Sequence, residues 1–92
     1  MMELKWTSKA LSDLDRLHDF LAPVNKTAAV RVVRSLVGAP MRLIEHPRIG
    51  EKLEEFDSRQ VRRILIGQYE MRYEIQDRTI FILRIWHTRE SR

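Results

Sequence analysis

From Arg59 to the end of the chain every basic residue is an arginine: Arg59, Arg62, Arg63, Arg72, Arg78, Arg84, Arg89 and Arg92. Only Glu70, Glu74, Asp77 and Glu90 stand against them. A guanidinium is planar and permanently charged, and its paired N–H donors fit phosphate or carboxylate oxygens better than a lysine point charge does. The second half of the chain is therefore equipped to hold anionic groups, although a solvated sheet face would have the same composition. Other chemistry is poorly served. There is no cysteine, so neither a thiolate metal site nor a disulfide is expected. His18, His46 and His87 lack the i,i+4 spacing that puts two imidazoles on one helical face, and no resident metal or cofactor is expected.

The elements that must position these residues follow from periodicity. Glu3 to Thr7 alternates, with Leu4 and Trp6 on one side, and reads as a short strand. Thr7 or Ser8 can cap a helix whose apolar stripe is Leu11, Leu14, Leu17, His18 and Leu21, with Asp13, Asp15, Arg16 and Asp19 on the wet side. His18 is expected to pack in the core. Ala22-Pro23-Val24-Asn25 breaks this helix, and Asn25 caps the next. The second helix begins near Lys26 and buries Ala28, Ala29, Val32, Val33, Leu36 and Val37, until Gly38-Ala39-Pro40 interrupts it. Two short helices joined by about four residues must form an antiparallel hairpin.

Pro47-Arg48-Ile49-Gly50 predicts a turn, and Glu51 to Asp57 a polar connection anchored by Leu53 and Phe56. Three strands follow: Gln60 to Ile66, Tyr69 to Ile75 and Thr79 to Trp86, joined by the two-residue turns Gly67-Gln68 and Asp77-Arg78. In the middle strand Tyr69, Met71, Tyr73 and Ile75 point inward, and Glu70, Arg72 and Glu74 outward. Strict alternation in the last strand groups Arg84 with Ile80, Ile82 and Trp86, and puts His87 on the other parity. The fold class is α+β: an N-terminal strand, a two-helix antiparallel hairpin, and a three-stranded antiparallel meander packed against it. Residues 80–86 are apolar on both faces apart from Arg84, whereas a strand with one dry face should alternate. Either a partner covers the second face or long side chains do; Trp6 and Trp86 read as core anchors.

Ninety-two residues make one domain, 1–92, with room for one core. The formal charge of +4 is compatible with nucleic acid, a ribosome or an acidic protein partner, and does not choose among them. No apolar run approaches a membrane span, and Glu3 and Lys5 break any secretory-signal pattern, so a cytoplasmic protein without membrane contact is expected.

The order of these segments resembles the RelE/ParE toxin superfamily of type II toxin–antitoxin systems. The resemblance runs through Trp6-Thr7, Ala10 and Asp13-Leu14, then Pro47-Arg48-Ile49-Gly50 and Val61-Arg62-Arg63-Ile64. Tyr69 to Ile75 is similar to the family's Tyr-Arg-x-x-Tyr strand, with Glu70 and Met71 departing from it. The strongest match is Ile82 to Glu90, similar to the terminal strand and His-x-Arg tail of ParE-like members. The resemblance implies a toxin neutralised by a small acidic antitoxin in a hetero-oligomer, with Arg62, Arg63, Arg84, Ile82 and Trp86 as antitoxin contacts.

Activity divides the superfamily. For ribosome-dependent mRNA cleavage, the RelE-like activity, the resemblance implies Glu70 or His87 as base, Arg72 and Arg84 as charge stabilisers, and His87 as acid. This chain has no tyrosine after Tyr73 and no lysine after Lys52, which departs from that branch. ParE-like members act on DNA gyrase without chemistry of their own. That branch resembles the chain more closely and implies a target surface of His87, Thr88, Arg89 and Arg92. A non-toxic RNA-binding module of the same fold is a further alternative.

Overall fold

Thr7 ends strand β1 (Glu3–Trp6) and caps helix α1 (Ser8–Leu21), its Oγ1 accepting the Ala10 N–H at 3.2 Å. A hydroxyl there satisfies one of the N–H groups that the first helical turn leaves unpaired. Asn25 does the same for α2 (Lys26–Gly38), accepting the Ala28 N–H at 3.0 Å. The second helix tightens into a 3-10 turn over Ala39–Leu43, where Pro40 has no N–H to continue the α-helical ladder. Residues 2–90 are described in this computed structural model.

The remaining strands are β2 (Glu51–Lys52), β3 (Gln60–Ile66), β4 (Tyr69–Gln76) and β5 (Thr79–His87). The expected meander β3-β4-β5 is present, turning through Gly67 (φ +58°) and Asp77 (φ +54°). The sheet is larger than the meander, with five strands in the order β1-β5-β4-β3-β2. β1 lies parallel to β5, Leu4 opposite Ile80 and Trp6 opposite Ile82, so the sheet is mixed. Glu51 and Lys52, expected in a connection, pair with Arg63 and Arg62. A two-residue strand is too short to show alternation in sequence.

One face of the sheet carries Ile64, Met71, Tyr73, Ile80, Ile82 and Ile85, which pack with Leu14, Leu17, Leu36 and Leu43. Trp6 packs against this core from the sheet margin. The helix stripes are narrower than their periodicity suggests: Leu11 and Val37 are exposed, and His18 is half-exposed with Nδ1 3.3 Å from Asp19 Oδ1. Asp13, placed on the wet side by its charge, is instead only 3% exposed.

A bulge decides the faces of β5. Tyr73 opposes Ile82 while Arg72 opposes Arg84, which leaves Leu83 as the extra residue. Beyond it the parity inverts. Arg84 and Trp86 therefore face away from Ile80 and Ile82, correcting the strict alternation, while His87 lies opposite Tyr69. On the second face of β5 arginines cover Trp86, while Phe81 and Leu83 remain partly exposed. Arg72 lies over the rings of Trp86 (4.8 Å to the centroid) and Phe56 (5.8 Å), and Arg84 lies over Trp86 at 5.1 Å. The aliphatic stems and flat heads of arginine cover aromatic surface while keeping charge near water.

Candidate functional site

The residues proposed for RNA cleavage do not converge. Glu70, Arg72 and Arg84 share the face turned away from the helices, whereas His87 sits on the helix side next to Tyr69, their rings edge-to-face at 5.2 Å. Glu70 is 1% exposed and lies between Arg63 Nη1 and Arg72 Nε, each at 3.3 Å. Arg63 also donates to Glu51 at 2.6 Å, and Arg59 donates twice to Glu74, at 2.9 and 2.7 Å. This face is a ladder of arginines and carboxylates neutralising one another. A phosphate arriving there would meet guanidinium groups whose charge is already offset by neighbouring carboxylates.

Arg84 is engaged across the chain. Its Nε and Nη2 donate to Asp13 of α1 at 2.9 and 3.2 Å, and the same carboxylate accepts the Ile85 N–H at 2.8 Å. The cause lies in the topology. β1 stops at Trp6, so the edge of β5 beyond Ile82 loses its neighbour, and side chains from α1 and its cap take over. Thr7 Oγ1 donates to the Ile82 carbonyl at 2.7 Å, Asp13 takes the Ile85 N–H, and Arg16 donates to the Ile85 carbonyl at 3.0 Å. An edge capped in this way cannot accept another strand.

Burial works to raise the Asp13 carboxyl pKa. Hydrogen bonds from Arg84, the Ile85 N–H and Arg16 outweigh it and hold the group below the ordinary aspartate value. The Arg59 hydrogen bonds likewise hold Glu74 below the usual glutamate value, against its burial. Both carboxylates are charged at neutral pH and serve to join elements.

Up to Glu90, the last described residue, the tail stays against the sheet. It folds into a turn in which Glu90 N–H donates to the His87 carbonyl at 2.9 Å and Thr88 N–H to the Gln68 carbonyl at 2.8 Å. Glu90 accepts the His87 N–H at 2.8 Å and pairs with Arg16 Nη1. His87 Nδ1 accepts the Arg89 N–H at 3.1 Å, so the neutral imidazole carries its proton on Nε2. This turn leaves Thr88 and Arg89 exposed beside a groove of about 590 Å³, whose apolar lining is Leu17, Phe20, Leu21 and Tyr69. Arg92 lies outside the described residues.

The residues expected to meet an antitoxin have other tasks in the folded chain. Ile82 is 0% exposed and offers a partner no surface. Arg62 turns toward the Pro47–Gly50 turn, donating to the Gly50 carbonyl at 2.8 Å and the Arg48 carbonyl at 3.2 Å. Trp86 lies beneath Arg72 and Arg84. The exposed apolar side chains are mostly on and around the helices, Phe20 at 69% and Val24 at 88% foremost, with Val30, Val37 and Met41, although Ile49 and Leu65 of β3 are exposed as well. Sequence reading missed Asp13, Arg16 and Glu90 as a set. One signal was available: Ala10, Asp13, Leu14 and Leu17 fall at i, i+3, i+4 and i+7, so Asp13 lies within the buried stripe.

Among the described residues no group of three or more His, Cys, Asp or Glu is placed to hold a metal ion, and no helix is long and apolar enough to cross a membrane. Residues 4–92 match the family model for the ParE toxin of type II toxin–antitoxin systems (parDE). Toxin RelE2 of Caulobacter vibrioides is 31% identical over 87 residues, covering 95% of this chain and 96% of that protein. Among solved structures, the chromosomal ParDE toxin–antitoxin system of P. aeruginosa superposes with a TM-score of 0.80 at 27% identity, covering 95% of this chain and 96% of that one. The RelBE2 toxin–antitoxin complex of Mycobacterium tuberculosis superposes with a TM-score of 0.58, also at 27% identity, covering 94% of this chain and 96% of that one. With the family model, the relative and the shared fold of a mixed sheet under a helical hairpin in agreement, the chain belongs to the ParE toxin family of type II toxin–antitoxin systems.

Proposed function

We propose that this toxin acts by binding DNA gyrase and blocking its cycle, and that a cognate acidic antitoxin neutralises it in the cytoplasm. The observation that carries this reading is the dispersal of the chemistry. Glu70, the candidate base, is buried between two guanidinium groups on one face, and His87, the candidate acid, is on the other. General acid–base cleavage needs both within reach of one ribose-phosphate, about 3 Å from the protons they move. A binding inhibitor needs only an ordered, accessible surface. The turn at Thr88 and Arg89, beside the groove under Phe20, supplies one.

Ribosome-dependent mRNA cleavage is the second reading, favoured by the name of the Caulobacter relative, Toxin RelE2. Purified protein decides between them in two parallel assays. Under the gyrase reading, supercoiling is inhibited or cleaved DNA accumulates, while a cell-free translation reaction proceeds. Rapid arrest of translation with cut ribosome-bound message, and gyrase untouched, would favour the nuclease. Harmless expression without any partner gene would point to a non-toxic RNA-binding module.

A further inference from the structure

The tail that the proposed function assigns to the target is not held by the sheet alone. Arg16, halfway along α1, is where three parts of the chain meet. Its Nη2 donates to Asp13 Oδ1 at 3.1 Å and to the Ile85 carbonyl at 3.0 Å, and its Nη1 pairs with Glu90. Glu90 in turn accepts the His87 N–H with its other oxygen, at 2.8 Å. One guanidinium thus joins a helix carboxylate, a strand carbonyl and a tail carboxylate. Arg16 sits one turn before Phe20, so the helical segment forming the groove also anchors the turn that presents Arg89.

We infer that Arg16 and Glu90 are positioning residues: they latch the 87–90 turn to α1 and so present Thr88 and Arg89 in the conformation that the target binds. This inference rests on the reading of the tail as the target surface. The geometry carries the latch itself. Arg89 N–H is held within the tail by His87, and Thr88 N–H ties the tail to the β3–β4 turn through the Gln68 carbonyl; the side-chain pairing of the tail to a helix, among the described interactions, is Arg16–Glu90. Exposed ion pairs contribute little to global stability because water and salt screen them. Their effect on a local equilibrium is different. A tail that is correctly folded only a fraction of the time binds with an apparent affinity reduced by that fraction. Releasing the latch is therefore expected to weaken binding by about tenfold with little change in maximal inhibition, since the fraction able to bind multiplies the dissociation constant.

The test uses the full chain carrying Arg16→Ala, Arg16→Lys, Glu90→Ala or Glu90→Gln, with two readouts. Amide hydrogen exchange follows Thr88, Arg89 and Glu90, and a gyrase supercoiling titration gives the half-inhibitory concentration. Both alanine variants should exchange at the tail amides close to the unprotected rate while core amides stay unchanged, and the half-inhibitory concentration should rise by about tenfold, as follows if about a tenth of the molecules hold the latched turn. Glu90→Gln keeps an acceptor for the His87 N–H, and Arg16→Lys keeps a charge for Glu90, so each should fall between wild type and alanine. Unchanged tail exchange in both alanine variants overturns the latch. Faster exchange with an unchanged half-inhibitory concentration overturns the positioning role. Should wild-type protein leave gyrase untouched, the target reading fails, and the exchange measurement still decides the latch on its own. Core amides accelerating with those of the tail would mean a general loss of fold and would also count against the inference.

Discussion

Asp13 is the residue whose charge the fold uses most. It is almost fully buried, and its two oxygens accept from Arg84, Arg16 and the Ile85 N–H. Asp13→Asn leaves the shape intact but removes the acceptor charge beneath two guanidinium groups. A loss of about 2–3 kcal/mol at neutral pH is expected, the usual range for breaking a buried hydrogen bond to a charged group. The pH dependence has a definite sign. The folded-state pKa is depressed, so this stabilisation is complete above the unfolded aspartate value of about 4 and is lost as pH falls through the lower native value. Urea unfolding should show the gap between wild type and Asp13→Asn narrowing as the pH falls below about 4. A gap that stays constant with pH would show that the carboxylate charge is not what stabilises this junction.

Among the elements, the least regular segment is the most tightly specified. The Pro47–Gly50 turn is pinned by Tyr73, whose buried hydroxyl donates to the Pro47 carbonyl at 2.7 Å and accepts the Gly50 N–H at 2.9 Å. A methyl group on Gly50 would lie 2.6 Å from that hydroxyl and 2.7 Å from the Arg63 carbonyl, too close for either. Gly50→Ala should therefore cost about 2–3 kcal/mol by overpacking, and Tyr73→Phe about 1–3 kcal/mol by leaving two buried backbone groups unpaired. Thermal unfolding of the two variants checks this. A Gly50→Ala protein as stable as wild type would mean that β2 and its turn shift freely. The turn was legible in the sequence from its proline and glycine. Its partner was not, because Tyr73 is separated from Pro47 by 26 residues and meets it only through the β3–β4 register.

On the scale of the whole molecule, charge is concentrated on one sheet face and most of the exposed apolar surface on the helical hairpin, with Leu65 of β3 an exception. The sheet face away from the helices is dense in charge but internally neutralised, through Arg59–Glu74, Arg63–Glu51, Arg63–Glu70 and Arg72–Glu70. The helical hairpin exposes apolar side chains, and α2 carries Lys26, Arg31 and Arg34 with no acidic residue. An acidic amphipathic antitoxin segment is complementary to α2 in both respects, so Val30 and Val37 are proposed as contacts in place of Ile82. Val30→Glu with Val37→Glu should leave the fold and gyrase inhibition unchanged while weakening antitoxin binding by tenfold or more, measured by calorimetry. The mechanism is like-charge repulsion and lost apolar burial, each worth about 1 kcal/mol or more per site. Unaltered affinity would place the antitoxin elsewhere.

Local patterns in the sequence determined the order of the two helices and of every strand but β2, both helix caps, the two hairpin turns and the inward residues of β4, because each depends on neighbours within a few positions. Segment order and the tail motif carried the family resemblance. Contacts far apart in the chain had to be decided by the tertiary structure. Periodicity could not reveal the bulge at Leu83, which puts Arg84 and Trp86 on the face opposite Ile80, since strict alternation assumes one residue per pairing step. Nor could hydropathy foresee that arginines would cover Trp86 on the second face of β5, or that a charged Asp13 would be buried. A carboxylate enters a core only where donors already point at it. Here those donors come from Arg84 and Ile85, more than seventy residues further along the chain.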